Sequence, residues 1–414
     1  MTAETHRPDG WDYALLLGGI VGVFLGLTGA VGLAGVALAG LIRGNHEAAL
    51  AGEWSASAAM TMALLCLPAI SHGGRSVFGR TVGLKGKPDK RWLYLTLLFP
   101  PAIGAGYLAH EKGIVEGLLG PVSHILAAGL PVLAAVVILR RVGPELPERR
   151  AWGQFLAGLW LTPAGALTLE LLTLIPAAAA LVIGLRSSFD FNALSDLLIR
   201  PDPLRATEYD SFLRGLILQP WVIVVILGYV ALVVPIVEEG LKSIAVWPFL
   251  KRGLTSAEAF LSGTLAGAGY ALFEALFLTQ PGQGWVETML ARVGATFVHV
   301  LTAGISSWGL VEGFRYRRWT RCVLAAFTAI VLHGMWNAGA VGIGLSAVAE
   351  QVGIAGAASR IWPVVRNAGA AILAVIGGVA LIAPVVVARR LAQAESQPVS
   401  ETPANPLEGP RVPP

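Results

Sequence analysis

Charge is scarce in this chain. Only 14% of its 414 residues are Asp, Glu, Lys or Arg, where a soluble globular domain carries about 25%. The formal net charge is +4. Its basic residues are spread over short loops rather than gathered on one face, which excludes a nucleic-acid-binding surface. Cysteine is scarcer still. Cys66 and Cys322 lie in separate apolar segments, which excludes a disulfide framework and a C-x-x-C redox or metal motif. No H-E-x-x-H run is present, so the familiar zinc-protease helix is absent. No internal repeat is visible, and the inverted-repeat signature of many transporters is missing with it.

What fills the chain is apolar. Hydrophobic residues make up 55% of the sequence, and the mean hydropathy is +0.67. This composition belongs to a membrane protein. A spanning helix takes about 20 apolar residues. Ten segments qualify, near 13–42, 54–72, 92–109, 121–139, 152–185, 220–250, 255–279, 286–313, 321–346 and 361–388. The first is too long for a signal-peptide core of about 7–15 residues. The fifth contains Pro163 and Pro176 and could be two pieces. The expected fold class is therefore all-α, a polytopic membrane protein.

Loop charges set an orientation. Arg75, Arg80, Lys85, Lys87, Lys90 and Arg91 precede the third span. Arg140, Arg141, Arg149 and Arg150 precede the fifth. Lys251 and Arg252 precede the seventh, Arg315, Arg317, Arg318 and Arg321 the ninth, and Arg389 and Arg390 follow the tenth. The positive-inside rule places all of these loops, and both termini, in the cytoplasm. Residues 1–12 form a short N-terminal cytoplasmic segment. Residues 392–414 are rich in Pro, Glu and Ser and read as a disordered tail. The longest polar stretch, 186–219, falls on the outer side. Its FNALSDLLIR piece reads as a short amphipathic helix or a plain connector. Gly18, Gly22 and Gly26, and Gly263 and Gly267, recur at four-residue spacing and read as helix-packing positions.

Ionisable groups inside spans are costly and mark function by default. The interior set is Glu170, Glu238, Glu239, Lys242, Glu274, His299 and His333, with Asn337 as a polar companion. All but Glu170 lie between residues 238 and 337, so residues 220–346 form the expected functional core. Residues 13–219 are accessory spans, and 347–391 hold the last span. Glu170 stands alone and reads as structural. In VPIVEEGLK, Glu238 and Lys242 share a helix face at i,i+4, while Glu239 lies about 100° round. One carboxylate can thus be paired and the other free to act as a base on water. Pro235 can open backbone carbonyls nearby. In HGMWN, His333 and Asn337 share a face. Histidine can carry a proton or bind a metal, and the amide can donate to a developing oxyanion. Two mid-span histidines and a carboxylate can hold zinc with a site open for water, or can act without metal. Glu274 lies about 28 Å along its span, from about 1.5 Å per residue, and is expected towards the outer half.

EEGLK at 238–242, FE at 273–274, His299 in its glycine-containing helix and HGMWN at 333–337 resemble the PrsW family of intramembrane proteases. That family sits in the wider group of CAAX-processing and bacteriocin-immunity type membrane proteases. The resemblance covers roughly residues 220–345. It departs at one position, because Leu278 stands where the pattern has a tyrosine four residues after the FE glutamate; Tyr270 lies one turn before that glutamate. The resemblance implies cleavage of peptide bonds within or beside the membrane. It implies Glu238, Glu239, His299, His333 and Asn337 as site residues, with Glu274 and Lys242 in support. It implies a metal set of His299, His333 and Glu239, with zinc as the candidate ion and a metal-free route still open.

The expected function is an intramembrane endopeptidase of the multi-pass type, in a bacterial-type plasma membrane. Its substrate would be a membrane-anchored protein or peptide, such as an anti-sigma factor or a lipid-modified peptide. The other reading is a proton-coupled transporter that uses the buried Glu and His set as a relay. The sequence leaves the oligomeric state open.

Overall fold

The computed structural model describes residues 8–79, 86–186, 206–277, 284–355 and 359–396, together with Gly282. The FNALSDLLIR piece, Leu278 and residues 397–414 lie outside the described residues. Within them the chain is helical, without strands.

Ten helical runs are long and apolar enough to cross a membrane. They are α1 (Gly10–Ile42), α2 (His46–Val77), α3 (Lys90–His110), α4 (Glu116–Val142), α5 (Glu148–Leu185), α6 (Pro220–Arg252), α7 (Ser256–Phe277), α8 (Trp285–Phe314), α9 (Trp319–Gln351) and α10 (Ile361–Ser396). They match the expected ten in number and order. A shorter helix, Ala206–Ile217, precedes α6. α5 is one continuous run, with a π turn at Ala157–Leu161 rather than a break. The helix of α10 continues to Ser396, so residues 392–396 are not part of a disordered tail. LAQAES is made of adequate helix formers, and the first proline comes only at Pro398.

α7 is the axis of the fold. In its most apolar window 89% of the residues are buried, against 6% in α5 and 11% in α6. The main core cluster gathers Trp54 of α2, Phe155 of α5, Phe260, Leu265 and Leu272 of α7, and Trp285 and Met289 of α8. Leucines, valines and isoleucines crowd the outward faces of α1, α5, α6 and α10 and are exposed. In water such faces would carry a heavy cost, and in lipid they are solvated.

Two devices bring the site helices together. The first is glycine on α7. A Cβ at Gly263 or Gly267 would collide with the backbone carbonyls of Ala303 and His299 on α8. The two helices therefore touch along their backbones. The second is the broken register of α6. It runs as α-helix to Gly228, as a π turn over Tyr229–Val233, as α-helix over Val234–Lys242, and as 3₁₀-helix over Ser243–Arg252. Pro235 has no N–H, so the carbonyls one turn earlier lose their intrahelical donor. Asn337 of α9 supplies one, with its Nδ2 donating to Val230 O at 3.1 Å. The neighbouring carbonyl of Ala231 sits directly against Gly334, with no room for a side chain there.

Candidate active site

The double glutamate lies on the short α-helical piece of α6, just past the π turn. Glu238, Glu239 and Lys242 are all buried there, Lys242 completely so. Its ammonium donates to Glu238 Oε2 at 2.9 Å and to Glu239 Oε1 at 2.8 Å. One lysine therefore holds both acids. The sequence-based expectation of one paired and one free carboxylate gives way to a shared cation. The physical reason is reach. The four-carbon stem of lysine spans the i,i+3 and i,i+4 positions together.

α8 and α9 bring the histidines. His299, whose carbonyl packs against Gly267, faces Lys242, whose Nζ is 2.8 Å from His299 Nδ1. An ammonium has only donors, so Nδ1 accepts. The proton is then on Nε2, which lies 2.5 Å from Glu274 Oε2. Glu274 also meets Arg292 Nη1 at 3.4 Å. It belongs to the cluster and is not offset from it. α7 and α8 are antiparallel, with 267 beside 299 and 274 beside 292; side chains on a helix lean toward its N-terminus, so Glu274 and His299 reach toward each other across that difference in level.

His333 repeats the arrangement in mirror. Its Nδ1 donates to Glu239 Oε1 at 2.9 Å, and Nε2 is turned to Glu238 Oε2 at 3.7 Å. Thr302 Oγ1 donates to the same Glu239 oxygen at 3.0 Å. The other oxygen, Glu239 Oε2, is buried without a hydrogen-bond partner among the described residues. The two imidazole rings stand edge to face with centroids 4.9 Å apart.

One donor set results. Glu238, His299 and His333 each offer a ligand atom within 4.8 Å of the others, and all three are buried. The sequence-based metal set named Glu239 with the two histidines. The geometry groups Glu238 with them and places Glu239 behind His333. The chemistry suits a metal ion: two imidazoles and a carboxylate are a common zinc-hydrolase donor set. Each imidazole gives its other nitrogen to a carboxylate, Glu274 for His299 and Glu239 for His333, an outer arrangement typical of metal-binding histidine. The tautomers agree as well, since the lone pairs of His299 Nδ1 and His333 Nε2 face inward. Lys242 now engages two of the three donors, Glu238 and His299. A metal at the same atoms would compete with that ammonium.

Three further residues bear on the site. Tyr270, one turn before Glu274, lies against the cluster. Lys242 Nζ lies 4.5 Å from its ring centroid, and its ring meets His299 edge-on at 5.3 Å. Tyrosine at this place was visible in the sequence only as a neighbour of the FE pair. Asn337 has an amide N–H engaged by Val230 O, so it ties α9 to the π turn of α6. Glu170, which reads as structural in the sequence, lies within electrostatic reach of Glu238, Glu274, Lys242 and His333. A lone acid on an otherwise lipid-facing helix was the signal that could have marked it.

Residues 212–363 match the family model described as PrsW family intramembrane metalloprotease. The match spans the end of the Ala206–Ile217 helix, α6 to α9 and the start of α10. It contains every residue of the Glu–Lys–His cluster. PrsW is a family of intramembrane metalloproteases, so this segment is that of a peptide-bond hydrolase, carried in an integral multi-pass membrane protein. No curated protein and no solved structure matches the chain.

Proposed function

We propose that the chain is an intramembrane endopeptidase whose reaction centre is the Glu238–His299–His333 group, acting on peptide bonds of membrane-anchored proteins. One observation carries this reading. The three donors converge inside the bilayer-crossing helices, and both histidines are backed by carboxylates on their outer nitrogens.

Glu238, His299 and His333 would hold the metal, for which zinc is the candidate. When bound, such an ion supplies a Lewis acid and a water acidified to near neutral pKa. Charge favours a divalent cation here. Glu238, Glu239 and Glu274 lie around the donor set, with Glu170 within electrostatic reach of Glu238 and Glu274, and they are opposed by Lys242 and Arg292.

The chain's own residues have distinct tasks. Glu239 uses Oε1 to fix the His333 ring, and its unpartnered Oε2 is the acceptor that takes a proton from the attacking water and returns it to the leaving amine. Glu274 fixes His299 in the tautomer that keeps Nδ1 inward. Lys242 is the positive charge nearest the carboxylates and suits a developing oxyanion. Tyr270 packs against Lys242 and His299 and helps fix both. Asn337 acts at a distance, because it fixes the π turn that aims the double glutamate.

Orientation with both termini in the cytoplasm follows from the loop charges. A bacterial-type plasma membrane and substrates such as a single-span regulatory protein or lipid-modified peptide fit the same reading. The relay reading, a proton-coupled transporter, has no such support. Its buried groups would form a chain across the membrane, whereas these gather in one cluster. The test is cleavage of a transmembrane substrate in proteoliposomes. Wild type should cleave, and Glu238→Ala, His299→Ala and His333→Ala should each lose at least about 10³-fold. Retained cleavage in all three sinks the assignment.

A further inference from the structure

Glu170 lies outside the matched segment, on α5. Past its π turn that helix touches the rest of the protein along one narrow stripe. Pro163 and Ala166 are buried and Glu170 is half-buried, while Leu161, Leu167, Leu169, Leu171, Leu172, Leu174 and Ile175 are exposed. A carboxyl on such a helix costs a few kcal/mol in lipid unless something meets it.

No side chain among the described residues does so. Tyr229 of α6 gives its hydroxyl to the backbone carbonyl of Glu170 at 2.6 Å and lies 3.2 Å from Thr173 Oγ1. It fastens the helix but leaves the side chain alone. Glu170 Oε1 is buried without a hydrogen-bond partner among the described residues. The groups within its electrostatic reach are Glu238, Glu274, Lys242 and His333. Two of these are like charges, so the placement is a poor structural ion pair. Gly165, one turn earlier, lies against Leu241 of the glutamate-bearing piece of α6. α5 is thus a wall of the reaction centre, and Glu170 is an unfilled acceptor beside it.

We propose that Glu170 is a substrate-binding residue, which accepts backbone N–H groups of the peptide next to the bond being cut. This rests on the peptidase reading above. A helical peptide in a bilayer hides its amides, and hydrolysis requires that it be unwound locally. Each freed N–H then lacks water and needs an acceptor from the protein. Glu170 Oε1 is buried, without a partner among the described residues, and within electrostatic reach of the donor cluster. It comes from the half of α5 beyond the π turn, whose neighbouring leucines are exposed, a face that a lateral peptide can approach.

The experiment uses the full chain in nanodiscs and a fluorescent transmembrane peptide that the wild type cleaves. Glu170→Leu removes the acceptor. KM and the Kd for uncleaved peptide should rise about 10- to 100-fold, with kcat little changed. Glu170→Gln keeps an acceptor oxygen and should stay within about threefold of wild type. Detergent melting and bound metal should match wild type in both. Wild-type KM in Glu170→Leu overturns the proposal, as does an equal fall of kcat in both variants. So does a loss of melting temperature that accounts for the activity change. A wild type that binds the peptide but never cleaves it defeats the peptidase reading while Kd still tests Glu170.

Discussion

His333 donates Nδ1–H to Glu239 at 2.9 Å and so turns its other nitrogen to Glu238, the preceding residue on α6. Two adjacent acids thereby take different roles. Glu238 lies at the donor cluster with its Oε2 toward both histidines, and Glu239 stands behind one of them with an oxygen to spare. Adjacency in sequence becomes a division of labour because consecutive side chains on a helix differ by about 100°.

That division predicts a split between two variants of Glu239. Glu239→Gln keeps an oxygen for His333 and Thr302 but cannot take a proton. Its kcat should fall about 10²- to 10⁴-fold, with metal affinity lowered less than in Glu239→Ala. Glu239→Ala loses both functions, and outer-ligand loss typically costs a further 10- to 100-fold in affinity. Metal titration and single-turnover cleavage on the same preparations separate the two. Equal effects on both quantities contradict the division.

Lys242 is completely buried and neutralises two carboxylates. Lys242→Met leaves those acids uncompensated. The metal-free protein should lose about 3–5 kcal/mol, read as a fall in detergent melting temperature. Adding Glu239→Gln to Lys242→Met should recover part of the loss, because one fewer charge is stranded. A divalent metal should recover it too, by ligand-linked stabilisation. An unchanged melting temperature in Lys242→Met would show that the pair of acids does not depend on this cation.

Gly267 sets the distance between α7 and α8. Gly267→Ala places a methyl against the His299 carbonyl, an overpacking that costs about 1–3 kcal/mol. It also moves His299 relative to Glu274. A displacement near 1 Å can cost about 10²-fold in rate. Gly18→Ala on α1 meets nothing within 4 Å and should leave melting and cleavage at wild-type levels. If the two substitutions behave alike, the glycine crossing does not set the site.

The class of fold was legible from composition and hydropathy, and the order of the ten spans from apolar runs. The cluster too was visible, since charged groups within spans are few. Four things were hidden. Lys242 reaches both glutamates, which a helical wheel cannot show because it fixes Cβ directions and not the swing of a long stem. Glu274 meets His299 through its side chain, because depth along a span says nothing of where two helices cross or which way their side chains lean. That crossing is set by Gly263 and Gly267, which read in sequence only as small packing residues. Asn337 was read as an oxyanion donor from its i,i+4 spacing to His333. Its partner is a carbonyl released by Pro235 and the π turn, and a π turn has no clear sequence signature. Glu170 was set aside because it stands alone as an ionisable group in the middle of its span. The residues that face it come from α6, α7 and α9, far away in the chain.

The most direct test of the central claim is the metal content of the purified full-length protein and of Glu238→Ala, His299→Ala and His333→Ala, measured by mass spectrometry after equilibration with zinc. The account predicts close to one ion per wild-type chain. It predicts near-complete loss in each of the three variants, with retention in Glu170→Leu. Stoichiometric binding that survives all three substitutions would contradict it.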